Sequence, residues 1–588
     1  MPISVTSLAP LRGTRCGRID VPSLMLRRLL VPALLAALTG ATVASAANSS
    51  PAQTSQPVAA AARYTAPAGS GALFLFSGHG WGHGVGMSQW GAYGFAQHGA
   101  TYDQILAHYY PGTTLGQAPL DTVRVLLAER KKKLTVASSV PFTVVDGTGA
   151  SHTLAAGKVT FGADLSLPVD GQPAPVQLTP PLTFQPGDGA PLKLGRLYRG
   201  QILVDLVDGK LRAIDVVSLE DYLDGVVPAE MPSAWLPEAL KAQAVAARSY
   251  ALATRQVAAP FDLYGDSRSQ MYLGVSQESP AATAAVQATQ GQVLMFGDQV
   301  AVTYFYSSSG GQTESSADVW GGIPQPYLVS VDDPYDTISP YHDWGPVPVT
   351  ALKIAQSLKV PGTITDVTTT PNPAGRVATL DVLSQRRTDP APVADPIQAT
   401  LARTKLGLRS TWFDVGVLSL TRPAPVAPVV YGGTVQLNGL VRGVDGVSLE
   451  QRTSKTPWTP VTPIAPGPDG TLQLSEQPTI TTDYRLATPT AAAAYVRVRV
   501  TPSVTLAAPQ TATVVAGTEQ PVLPGAPVLV QQQNPDGSPG WTTVARGTVD
   551  DSGAFSVPVQ LGPGTVRAVV APGHGYWPGA SAAVTVTG

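Results

Sequence analysis

Glu230 stands at the end of Val226-Val227-Pro228-Ala229-Glu230, with Met231-Pro232 and Trp235 directly after it. A carboxyl in apolar surroundings is poorly hydrated, so its neutral form is favoured and its pKa rises. A carboxylic acid that keeps its proton near neutral pH can serve as a general acid. The same residue could equally cap a helix or close a salt bridge, and residue types alone leave both readings standing. Lys241 and Arg248 follow, two helical turns apart and therefore on one face, with small Ala244 between them leaving a shallow groove. Such a face can bind a substrate and orient Glu230, or it can be an ordinary solvated face. Either way both side chains are expected to be exposed, and removing either should cost no more than about 0.5 kcal/mol. A lysine close to Glu230 would lower its pKa and oppose the acid role.

Two further segments have chemical content. In Ser77-Gly78-His79-Gly80-Trp81-Gly82-His83-Gly84-Val85-Gly86-Met87-Ser88-Gln89, glycine takes every other position. That pattern weakens an ordinary strand but permits close backbone approach to a ligand or to another strand. No Gly-Lys-Ser/Thr follows, which weakens a nucleotide reading. His79 and His83 would share a face to hold a metal only in a helix, which the stretch is too glycine-rich to form, so no metal is expected. Tyr304-Phe305-Tyr306-Ser307-Ser308-Ser309-Gly310-Gly311, followed by Asp318-Val319-Trp320, reads as a strand ending in a Ser/Gly turn. The turn suits a sugar-binding rim of Ser309, Gly310 and Gly311. Ser309 lacks the Gly-x-Ser-x-Gly elbow of a nucleophile.

The elements that must position these residues are legible in outline. Pro237 to Arg255 predicts a helix: Pro237 suits its first position, Glu238 suits the positive end, and the interior is alanine-rich. Ala281 to Gln290 predicts a second, shorter helix. Val123–Leu127, Phe142–Val145, Ile202–Leu206 and Leu211–Val217 predict strands bounded by Gly and Pro. After a Pro-rich linker at 421–429, Trp458 and Arg485 recur as Trp541 and Arg567, and Val447-Ser448-Leu449-Glu450 as Val528-Leu529-Val530-Gln531. This repeat predicts two all-β immunoglobulin-like sandwich modules, 430–503 and 504–588, acting as spacers or wall-adhesion units that fold independently of the rest.

The formal net charge of -2 argues against a general nucleic-acid binder, and the basic run Arg130 to Lys133 reads as a solvated turn. At the N-terminus Arg27 and Arg28 precede the apolar run Leu29 to Val43, and Ala44-Ser45-Ala46 fits a cleavage site. Residues 1–46 are therefore expected to be an export signal, with translation starting at Met25, and 47–72 a flexible leader. The secreted chain would carry no transmembrane segment. It would also carry no cysteine, since Cys16 precedes the proposed start, which excludes disulfides and thiolate metal sites.

Taken together, LEDYLDGVVPAEMPSAWLPEALKAQAVAARSYAL, SSSGGQTESSADVWGG with PYLVSVDDPYD, and GHGWGHGVGMSQWGAYGFAQHGATYDQILAHYYPGTTL resemble the stage II sporulation protein D family, which includes the amidase-enhancer proteins. The resemblance spans roughly residues 73–415. It implies an α+β core at 73–420 acting on peptidoglycan as a lytic transglycosylase, with no cofactor. The family's catalytic glutamate falls on Glu230, its supporting residues on Lys241, Arg248 and Tyr250, and the His of its GHGVGMSQ motif on His83, beside Ser88 and Gln89. One well-placed carboxyl then suffices, because the muramic acid C6 hydroxyl acts as internal nucleophile. The competing expectation is a non-catalytic wall-binding protein that enhances a partner cell-wall amidase.

The chain departs from the family in order: the GHGVGMSQ segment comes first instead of last. A circularly permuted core should bring the strand near Phe74–Phe76 beside Thr411–Val415. It should also return His83, Ser88 and Gln89 to the cleft of Glu230.

Overall fold

The computed structural model describes residues 63–586 apart from 390, 508–512 and 535–537. The expected export signal, and the leader as far as residue 62, lie outside the described residues. The fold is mostly β with some helices, and the helices gather around Glu230.

Five helices build that lobe: α1 (Gln89–Gln97), α2 (Tyr102–Tyr109), α3 (Leu219–Glu230), α4 (Pro237–Ala253) and α5 (Pro280–Ala288). Each start has a local cause. Ser88, Ser218 and Ser279 cap α1, α3 and α5 by accepting the amide protons of Gly91, Asp221 and Ala282. Pro237 opens α4 and Pro280 opens α5 at a position where no amide proton is needed. Helix α4 is the axle of the lobe: Ala239, Ala242, Ala244, Ala246, Ala247 and Ala251 are all buried. Small side chains let its neighbours approach on every side, so it has almost no solvent face.

Helix α3 grows directly out of a sheet. Strand Lys210–Ser218 lies between Thr122–Lys131 and Gln201–Val207, and Ser218 is both its last residue and the cap of α3. Glu230 is thereby held twelve residues along a rigid rod, roughly 18 Å from the sheet.

A second sheet organises the rest. It runs Asp343–Thr350, Leu73–His79, Phe413–Thr421, Val435–Arg442, Thr471–Glu476. Leu73–His79 lies antiparallel to Phe413–Thr421 with Phe76 opposite Val415, the neighbourhood expected for it. Its residues alternate between two cores. Phe74 and Phe76 pack with Trp344, Val349 and Phe413, whereas Leu73 and Leu75 pack with Leu418 and with Leu437 and Tyr484 of the first C-terminal module.

This shared sheet corrects the expected boundary at 421–429. The Pro-rich segment does not separate an independent module, because Val435–Arg442 hydrogen-bonds to Phe413–Thr421 across it. Cutting the chain at 430 would strip that strand and uncover Leu73, Leu75, Leu418 and Leu420, so the first module completes the core. The end of the expected leader is likewise tied down. Tyr64–Thr65 pairs with Ala491–Ala492, and Arg63 bonds Glu450 at 2.7 Å.

The repeat itself is structural. Arg485 lies 3.9 Å from the Trp458 ring centre and Arg567 4.2 Å from that of Trp541. Cross-strand, Arg485 sits opposite Glu450 and Arg567 opposite Gln531. Each module thus stacks an arginine on a tryptophan at the same place.

Candidate functional site

Glu230 is the last residue of α3, where Pro232 prevents the helix from continuing. Tyr222, Leu223, Val226 and Val227 hold the helix in the core, so its end is drawn inward. The Glu230 Oε1 accepts the Met271 backbone N–H at 3.0 Å. Burial pushes its pKa up, and only the Met271 amide acts against that. The lysine that would have opposed the acid role is engaged elsewhere: Lys241 Nζ lies 2.7 Å from Glu238 Oε1, which is one helical turn away.

Gln89 delivers the glycine-rich segment to this point. Its side-chain amide donates to the Glu230 carbonyl oxygen at 3.2 Å and to Gln243 Oε1 at 3.4 Å. Beside it Trp90 and Tyr93 both pack on Trp235, with ring centres 4.7 and 4.6 Å apart. On another side runs an aromatic strip. Tyr250, whose pKa is raised by burial first and more weakly by Tyr304 and the Glu230 charge, lies 5.7 Å from Tyr304. Tyr304 lies 4.6 Å from Trp320, and His83 packs against Tyr304, Tyr306 and Trp320. His83 therefore reaches the Glu230 neighbourhood through Tyr304 and Tyr250. Its Nδ1 accepts the Val85 N–H at 3.1 Å, which leaves the proton on Nε2. Burial and the nearby Arg403 lower its pKa to about 4, so it is neutral at neutral pH.

The alternating glycines serve approach to another strand. Met87–Ser88 pairs with Phe305–Tyr306. A Cβ on Gly86 would stand 2.1 Å from the Tyr304 carbonyl oxygen, and one on Gly80 would stand 2.6 Å from that of Ser308. Beneath them lies Asp336, fully buried. It accepts Ser88 Oγ (3.0 Å), Ser308 Oγ (2.8 Å), the Ser309 N–H (2.9 Å) and the Gly310 N–H (2.8 Å), and it meets His342 Nδ1 at 3.1 Å. Ser309 Oγ donates to Asp333, and Gly311 N–H donates to Ser309 Oγ.

Several expected roles change in this light. Ser309 and Gly310 form no rim; they wrap inward around Asp336 and Asp333, with Gly311 fastened to them, because two buried carboxylates need donors. Ser88 is an internal cap. Arg248 is not exposed at all. It forms a two-pronged pair with Glu220 at 3.0 and 2.6 Å and donates to the Gln292 carbonyl at 3.0 Å. The one-face argument for Lys241 and Arg248 fails because α4 is surrounded. Arg248 is a buried strut, and its removal must cost far more than a surface change.

Tyr304, Trp320, Gln243, Met271, Asp333 and Asp336 escaped selection as site residues. The aromatics lie in the quoted motifs and could have been singled out. Met271 acts through its backbone and leaves no signal in side-chain chemistry.

Comparison with known proteins bears on this centre. The family described as SpoIID, stage II sporulation protein, matches residues 207–296. Residues 207–296 form a SpoIID domain. The SpoIID domain takes in α3, α4 and α5, and with them Glu230, Lys241, Arg248 and Tyr250; the segments of His83 and Ser309 lie outside the match. An uncharacterized protein of Brachyspira hyodysenteriae is 34% identical over 153 residues, 26% of this chain and 41% of that protein. Stage II sporulation protein D of Bacillus subtilis is 36% identical over 146 residues, 22% of this chain and 42% of that protein. The amidase enhancer of the same organism is 40% identical over 114 residues, 19% of this chain and 15% of that protein. The chain thus spans less than half the length of each of these relatives. Over this region the chain is similar to the stage II sporulation protein D and amidase-enhancer proteins.

Among the described residues no helix is long and apolar enough to cross a membrane.

Proposed function

We propose that the SpoIID domain cleaves peptidoglycan glycan strands as a lytic transglycosylase, with Glu230 as acid and then base. One observation carries the reading: Glu230 is a half-buried carboxyl whose pKa burial raises and which, among the described residues, no cation stabilises. In the proposed step Glu230 gives its proton to the glycosidic oxygen as the bond from C1 of muramic acid breaks. The resulting carboxylate takes the proton of the same sugar's C6 hydroxyl while that oxygen bonds to C1. The products are a free hydroxyl and a 1,6-anhydro end; no water is consumed and Glu230 recovers its proton. Among the described residues no second carboxylate shifts the acidity of Glu230, which suits a mechanism with one carboxyl rather than the usual pair. Gln89 and Gln243 position the end of α3, and the Tyr250–Tyr304–Trp320 strip supplies faces for sugar rings.

The same reading takes the early GHGVGMSQ segment as a permuted part of the family core. It is supported by the pairing of Leu73–His79 with Phe413–Thr421 and by the Gln89–Glu230 contact. It also takes the protein as exported to the cell wall. The similarity to an amidase enhancer favours a second reading, a wall-bound protein that stimulates an amidase without cleaving glycan. Mass spectrometry of sacculi incubated with the chain separates the two. Anhydro-muramic ends that disappear with Glu230→Gln support the enzyme. Their absence with the unmodified chain, alongside stimulated amidase activity, supports the enhancer.

A further inference from the structure

The internal repeat provides its own control: what both modules keep is scaffold, and what one alone carries calls for a reason. Both keep the Trp–Arg stack. One step along the same three strands they diverge. In the first module Arg452 faces Asp483, which faces Arg497. In the second module the corresponding row is Gln533, Thr565 and Thr585, with Thr565 opposite Thr585. A charged row has no bearing on forming the sandwich, since the second module forms one without it.

The charged row lines a cavity of about 620 Å³, together with Thr453, Ser454, Thr456 and Trp458. The second module closes one side: Gly575 lies on the wall, its carbonyl accepts the Thr481 N–H at 3.0 Å, and the neighbouring Trp577 is covered by Arg499 at 3.8 Å. Asp483 is buried and holds Arg452 at 3.0 Å and Arg497 at 2.7 Å, so two arginines share one carboxylate. Arg452 is also fixed over Trp458 and Tyr495, at 4.7 and 4.9 Å. Yet the Arg452 and Arg497 side chains remain 37% and 52% exposed. The outcome is a pre-oriented pair of guanidinium groups with one uncompensated positive charge, in a protein whose formal net charge is -2. Arginines held in this way match the geometry of oxyanions.

We infer that the first β module binds an oxyanion, phosphate or carboxylate, through Arg452 and Arg497. The site is separate from the Glu230 centre and does not depend on what that centre does. It requires both modules, because the second supplies a wall.

The test uses the full chain and measures binding to three immobilised probes: a poly(glycerol phosphate), a polyuronate and an uncharged glycan. The triple variant Arg452→Gln, Asp483→Thr, Arg497→Thr installs the second module's own row and leaves no charge unpaired. The expected result is retention on one or both anionic probes, weakened by salt, absent on the uncharged glycan, and reduced about tenfold or more in the variant. Which anionic probe is retained identifies the source of the oxyanion. Equal binding by the variant, or no retention on either anionic probe, overturns the inference. Should the triple variant lose its fold, Arg497→Thr alone, at the most exposed position of the row, must still weaken binding several-fold.

Discussion

Two acidic sites, one fully buried and one half-buried, lie a few side chains apart in this protein, and they are built in opposite ways. Around Asp336 the fold supplies two serine hydroxyls, two backbone amides and a histidine ring. Around Glu230 it supplies one backbone amide at 3.0 Å. The first carboxylate is satisfied and serves to fold three chain segments onto each other. The second has a single donor, so burial disfavours its charged form and raises its pKa. Arg248 belongs with Asp336 in this contrast, since Glu220 and a backbone carbonyl occupy its guanidinium. At these sites full pairing goes with a structural part, whereas partial burial with a single partner leaves the Glu230 carboxyl available for chemistry.

Substitutions that should affect only one side of the contrast can break it. The largest expected effect is on activity: Glu230→Gln should reduce anhydro-end formation about 10²- to 10⁴-fold while leaving the melting temperature unchanged or higher. The sign follows from the raised pKa. The folded state holds the Glu230 proton more tightly than the unfolded chain, so this group costs stability as pH rises through its folded value, and the amide removes that cost. For the same reason turnover by the unmodified chain should fall as pH rises past that value. A Glu230→Gln variant that unfolds would place Glu230 with the scaffold.

Arg248→Ala should do the reverse. It leaves the partly exposed Glu220 with only the Gly291 amide as partner and should cost about 3 kcal/mol, measured by denaturant unfolding. A loss of activity with no loss of stability would return Arg248 to the substrate-binding role.

A smaller effect is expected at His83. Its folded pKa is about 4 against an ordinary 6.5, so the fold favours the neutral ring. That stability is present above pH 6.5 and lost as pH falls toward 4, on the order of 2–3 kcal/mol. His83→Asn keeps an acceptor for Val85 and has no proton to gain, so its melting temperature should vary less over that window than that of the unmodified chain. Parallel curves would mean that the ring is solvated when folded. Smallest of all, Lys241→Ala breaks a half-exposed pair with Glu238 and should cost less than about 1 kcal/mol. If it also leaves the pH profile of turnover unchanged, Lys241 plays no part in setting the acidity of Glu230.

Much of the local architecture was legible in residue order. The helix at Pro237–Ala253 and the strands around Val123, Phe142, Ile202 and Leu211 follow from proline placement, alanine content and alternation. Helix α3 was not, because Gly225 and Pro228 in its interior read against a helix; the Ser218–Asp221 cap was the signal to heed. The pairing of Trp458 with Arg485 and of Trp541 with Arg567 was visible as a repeat but not as a contact, since a repeat gives correspondence and not distance.

By itself the sequence determined which residue types stand at the acid centre, that Glu230 follows an apolar run, and that two similar β modules close the chain. These are properties of near neighbours and of periodicity, and they survive without knowing the fold. Only the tertiary structure decided which charges are free. Whether Arg248 meets water or Glu220, whether Ser309 faces a cleft or Asp333, and whether Val435–Arg442 belongs to a separate module or to the core sheet all depend on segments far away in the chain. Desolvation is set by everything that packs around a group, and most of what packs around these groups comes from somewhere else in the sequence.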